Sequence, residues 1–194
     1  WIASLPKDTV FPADALIAID GGSKERWTLA AVARLAKNNA AEVLAAALAS
    51  PEPAKHSPLV ALLFESNRND PAKLAAMLST MESAKGDAED VVLSSLNSLR
   101  KGELSRSPQL DAAPARLAGS KQPHTAAAAL PLAPAGANTA AIVSSVLKAA
   151  PGDPLVLVPL AALPGFTPEL SKALKDGIAK AGDSRRPLME ALGA

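Results

Sequence analysis

The strongest constraint on what this chain can fold into is a recurrence at steps of 30 residues. Gly152-Asp153 returns as Gly182-Asp183, and each pair is followed by a proline-led apolar run, Pro159–Leu163 and Pro187–Leu192. A third Gly-Asp junction, Gly86-Asp87, precedes "AEDVVLSSLNSL". Leu44 and Leu48 recur as Leu74 and Leu78, and Val32, Leu62 and Val92 fall on the same step. A fixed period of about 20–50 residues marks stacked supersecondary units, because one unit cannot bury its apolar face alone. The expected fold is therefore all-α: a right-handed α-solenoid of about six antiparallel helix pairs with a period of about 30 residues. The units run 11–40, 41–70, 71–104, 105–137, 138–167 and 168–194, after an N-terminal cap or linker over 1–10. Units 11–104 form the N-terminal part, 105–137 an irregular, proline-crowded middle where two subdomains would meet, and 138–194 the C-terminal part. First helices are predicted over 12–20, 41–49, 71–84, 108–118, 138–150 and 168–181, and second helices over 23–37, 57–67, 87–100, 123–133, 153–163 and 184–193.

Composition bears on why the units are helical. Apolar residues make up 48% of 194 residues, yet aromatics are only 3% and tyrosine is absent. Ala and Leu are strong helix formers, whereas sheets favour aromatic and β-branched residues. The boundaries have local mechanisms. Ser57-Pro58, Asp70-Pro71, Ser107-Pro108, Asp153-Pro154 and Thr167-Pro168 each place a capping oxygen before a proline suited to the first helical position. Asp87, Asp183 and Ser23 read as N-caps without the proline, and Gly86, Gly152 and Gly182 stand where a chain leaving a helix takes positive φ. The most apolar stretch, Gly152–Gly165, reads as a second helix with Leu155, Val158 and Ala162 on one face. Leu157, Leu160 and Ala161 widen that face, and Pro159 should kink the helix. A buried strand is the alternative for this stretch. Its run from Pro154 to Pro164 is too short for a membrane span of roughly 20 residues. Leu44, Leu48, Leu74, Leu78, Val92, Leu147, Leu157 and Leu188 occupy recurring positions and are expected to be buried.

Charge and motifs narrow the chemistry. Twenty basic and 19 acidic residues leave a net charge of +1, which gives no electrostatic footprint for nucleic acid. Without cysteine there is no disulfide, thiolate nucleophile or Cys-ligated metal. The chain starts at Trp1 with no charged and apolar leader pattern, and reads as a processed product or a piece of something longer. His56 and His124 are the only histidines; both read as solvated loop residues of separate units rather than as a shared zinc site. "DGGSKER", Asp20–Arg26, lacks the spacing of a phosphate-binding loop and reads as an inter-helix turn. No Gly-x-Ser-x-Gly elbow is present; Ser94-Ser95 and Ser144-Ser145 fall inside helices, and Glu89-Asp90 suit the dipole of a helix start. The densest basic stretch is Arg100, Lys101, Arg106, Arg116 and Lys121, the candidate for meeting an acidic partner.

The C-terminal "AGDSRRPLMEALGA" resembles the second-helix segment of a short bacterial HEAT repeat: Asp183, Arg185, Arg186, Ala191, Leu192 and Gly193 match that pattern, and Pro187 departs from it. The likeness is specific over this segment and rests on helix pattern elsewhere. "WIASLP" at the start is similar to the closing helix of c-type haem domains that precede HEAT-like regions in large exported bacterial proteins; a hydrophobic cap on the first unit accounts for Trp1 more simply. The resemblance implies an exported bacterial setting and a scaffold that binds a protein partner or a neighbouring domain.

The expected function is thus a non-catalytic helical-repeat scaffold for protein–protein or interdomain interaction, with no cofactor, no metal, no nucleic acid and no membrane span. The alternative is a helical carrier enclosing a hydrophobic ligand, for which an Ala/Leu-rich shell would serve.

Overall fold

The computed structural model describes residues 9–82, 84, 86–100, 104, 106–134, 138–163, 165, 167–180 and 189. Among them there are eleven α-helices and no strand. The helices are α1 (Ala13–Asp20), α2 (Arg26–Leu35), α3 (Ala40–Ala49), α4 (Ser57–Ser66), α5 (Pro71–Met81), α6 (Ala88–Arg100), α7 (Pro108–Ala118), α8 (Pro123–Ala129), α9 (Thr139–Ala149), α10 (Pro154–Leu160) and α11 (Pro168–Lys180). Short 3-10 segments follow α2, precede α4 and follow α8. None of the described helices is long and apolar enough to cross a membrane. The helix predicted over 184–193, the cap of Asp183, the burial of Leu188 and the residues carrying both resemblances lie outside the described residues, Met189 apart.

Amphipathic spacing explains which faces are buried. In α3 the buried residues are Ala40, Val43, Leu44 and Ala47, and in α5 Leu74, Met77, Leu78 and Met81. Both sets follow the i, i+3, i+4, i+7 stripe of a helix with one face inward. Leu48 departs from expectation: it is half-buried, because Leu44 and Ala47 set the inward direction of α3 and Leu48 sits at its edge.

The predicted caps mostly form. Asp70 Oδ1 accepts from the Lys73 amide at 3.1 Å, Ser107 Oγ from Leu110 at 3.1 Å, Asp153 Oδ1 from Leu155 at 2.9 Å and Thr167 Oγ1 from Leu170 at 3.1 Å. Each occupies one amide that the first helical turn leaves without a partner. Ser57 does not cap. The 3-10 segment Pro53–His56 runs straight into α4, so Ser57 already has helical angles, φ −52° and ψ −40°. Ser23 does not cap α2 either; its Oγ accepts from the Glu25 amide at 3.1 Å, forming a tight turn before the helix starts at Arg26. At Gly152 φ is 75°, as the exit from α9 requires.

The helix at Pro154 is present, and its inward face is the widened part of the predicted one, Leu157, Leu160 and Ala161, rather than its Leu155, Val158 and Ala162 stripe. Val156, Leu157, Leu160 and Ala161 are buried, while Leu155 is 57% exposed, Val158 half-buried and Ala162 exposed. A helix that is apolar nearly all round carries no local signal for its own rotation. Pro159 lies inside it and is buried. The proline stands one residue before the end, and the amide it lacks would have bonded the carbonyl of exposed Leu155, where water can take its place.

The chain divides into two units, Trp1–Leu110 and Asp111–Ala194. In the first, α1 packs on α2, and beyond that alternate helices pack on one another: α1 on α3 and α3 on α5, α2 on α4 and α4 on α6. In the second, α8 packs on α9 and on α10, and α11 packs on both α9 and α10.

Candidate functional site

Two aspartate–histidine pairs, unseen in the sequence, tie helices together. Asp20 closes α1 and is 2% exposed; His56 closes the 3-10 segment before α4 and is 6% exposed. His56 Nδ1 lies 2.5 Å from Asp20 Oδ2. A carboxylate accepts, so Nδ1 carries the donated proton. The Gly22 amide donates to the same oxygen at 3.3 Å, and Oδ1 has no partner. Gly22 has φ 76°, and a Cβ there would meet Lys55 Cβ at 3.0 Å, so the turn between α1 and α2 lies close against the His56 segment. The stretch "DGGSKER" is therefore an inter-helix turn that places a buried carboxylate. His56 corrects the expectation of a solvated loop histidine. The cause is tertiary: the carboxylate at the end of α1 is withdrawn from water and needs a donor.

The second pair is chemically alike and electrostatically different. His124 Nε2 donates to Asp153 Oδ2 at 2.8 Å, both side chains being part-buried. His124 is the second residue of α8, at the helix start the sequence predicts over 123–133, but its side chain is paired rather than solvated. Asp153 caps α10 with its other oxygen, at the helix end where negative charge is favoured. Asp20 stands at a helix C-terminus, where negative charge is disfavoured. Each pair joins residues of its own unit. Among the described residues no group of three or more His, Asp or Glu is arranged to hold a metal ion.

Of the basic residues singled out in the sequence, Arg100 ends α6 and is half-buried, and burial holds its guanidinium below the usual arginine range. Its Nη1 is buried without a hydrogen-bond partner. Arg106, Arg116 and Lys121 are exposed, and Lys101 lies outside the described residues. Arg100 and Arg106 belong to the first unit, Arg116 and Lys121 to the second. A further arginine, absent from the sequence reading, joins the end of α4 to α6: Arg68 Nη2 donates to the Ser98 carbonyl and Nε to Glu65 Oε2, both at 3.2 Å. Arg68 thereby brings a cation to the C-terminal end of α6, where it complements the helix dipole.

The other feature missed in the sequence is an exposed aromatic. Trp27 is 86% exposed at the second position of α2, and Ile19, in the last turn of α1, is 58% exposed. Leu29, Val32, Ala33 and Ala36 face inward, while Trp27, Ala30, Ala31 and Arg34 form the opposite stripe. The helical period was the signal available for this: tryptophan falls on the stripe that the inward residues leave to solvent. No protein-family model, curated protein or solved structure matches the chain.

Proposed function

We propose that the chain is a non-catalytic helical-repeat scaffold whose helix pairs stack, within each unit, in the manner of short HEAT-like repeats, and that it acts by presenting a row of helices to a protein partner or neighbouring domain. The observation that carries the reading is the reach of the side-chain bridges. Asn38 and Asn39 donate to the carbonyls of Thr9 and Phe11, Lys73 to that of Lys37, and Arg68 to that of Ser98. With His56–Asp20, His124–Asp153 and Ser144–Glu169, these bonds join residues 25 to 36 positions apart. That separation is close to the sequence period, and four of the bridges, His56–Asp20, Arg68–Ser98, His124–Asp153 and Ser144–Glu169, each connect one helix pair to the next, as in an array whose units touch their neighbours. Packing of first helices on first helices and second on second supports the same reading. Within each unit the contact surface is its own row of second helices, joined in the first by the basic residues Arg100, Lys101 and Arg106 and in the second by Arg116 and Lys121.

The test is co-purification. A stoichiometric protein partner that is retained by the native chain and lost on Arg100→Glu, Lys101→Glu and Arg106→Glu supports the scaffold. A stoichiometric metal by elemental analysis, or a cofactor absorbance band that survives purification, would overturn it.

A further inference from the structure

The outward stripe of α2 is built like half of a helix–helix contact. Trp27, Ala30, Ala31 and Arg34 are spaced i, i+3, i+4 and i+7, the pattern by which one helix face meets another. The two alanines let a second helix axis come within about 8–10 Å, and the indole beside them offers a large apolar anchor. Ile19, across the turn that joins α1 to α2, adds exposed apolar surface. Such an aromatic, standing free at the edge of small residues, is the type of side chain that dominates binding energy at interfaces. The charge along the segment 24–37 is predominantly positive. Lys24, Arg26, Arg34 and Lys37 are all exposed, against the single carboxylate of Glu25, and among the described residues none of the four makes an ion pair.

Resting on the scaffold reading, we propose that this face of α2 is a docking site for an acidic amphipathic helix of a partner protein. The partner's apolar stripe lies over Ala30 and Ala31 against Trp27, and its flanking carboxylates meet Arg26 and Arg34. A second copy of this chain does not fit: a two-fold contact of the face with itself would set cations against cations.

The experiment uses the full chain and two labelled helix-forming peptides that share one leucine stripe, flanked by Glu in one and by Lys in the other, titrated by fluorescence anisotropy. The Glu peptide should bind at least about tenfold tighter than its Lys counterpart, and the advantage should shrink with added salt. Trp27→Ala should weaken Glu-peptide binding about tenfold or more with an unchanged circular dichroism spectrum, since the side chain contributes nothing to the core. Arg26→Glu with Arg34→Glu should reverse the peptide preference. Equal binding of both peptides, binding indifferent to Trp27→Ala, or self-association of the chain abolished by Trp27→Ala would each overturn the proposal. A partner kept by Trp27→Ala but lost on charge reversal at Arg100, Lys101 and Arg106 sinks this site alone and leaves the scaffold standing.

Discussion

Asp20 and Asp153 each hold a histidine, and the difference between them predicts different energetics. Asp20 is buried, stands at the unfavourable end of its helix dipole and has one oxygen without a partner. Asp20→Ala strands the buried imidazole of His56 and should cost about 3 kcal/mol in urea unfolding. Asp153 is part-buried and its main local duty is the cap of α10, so Asp153→Ala should cost about 1 kcal/mol. Equal losses would mean that burial is not what makes the first pair matter. The apolar positions divide in the same way. Leu74 is fully buried, and Leu74→Ala should cost about 2–5 kcal/mol, whereas Leu48→Ala, from a half-buried site, should cost about half as much or less. Both leucines sit on the 30-residue step; the period located the helices and could not tell a stripe's centre from its edge.

At the scale of the element, helix ends were legible because their causes are local. Asp70, Ser107, Asp153 and Thr167 cap as read, since a short polar side chain before a proline needs only its own first turn to find a donor. Ser57 and Ser23 fail where a neighbouring segment changes the entry: a 3-10 turn feeds α4 without a break, and the glycine turn after α1 delays α2. Gly152 tests the exit from α9. Nothing lies within 4 Å of a Cβ built there, so Gly152→Ala meets no clash and pays only for its φ of 75°. A loss of about 1–2 kcal/mol by thermal or urea unfolding is expected, and a neutral outcome would mean the turn can relax to negative φ. The rotation of α10 was not legible. Its residues are apolar on every side, so periodicity has little contrast to work with, and packing on α8 and α11 decided that Leu155 stays out.

At the scale of the molecule, the rows of the first unit make a prediction about local opening. α3 has α1 and α5 on its two sides, and α4 has α2 and α6, whereas α1 and α2 each have a row neighbour on one side. In an array held by nearest-neighbour contacts the interior elements open last. Amide exchange followed by mass spectrometry should show α3 and α4 exchanging slowest and α1 and α2 sooner; uniform protection from α1 to α6 would speak against a layered array. By itself the sequence determined that the described chain is helical and where several of its helices begin, at Asp70, Ser107, Asp153 and Thr167, because propensity, capping and proline placement act within a turn or two of the backbone. Tertiary structure alone decided that His56 is buried on Asp20 and that Arg68 reaches Ser98. Those outcomes depend on which side chains packing brings together across about one period of chain, and the energy of such a meeting is written in neither partner's neighbourhood.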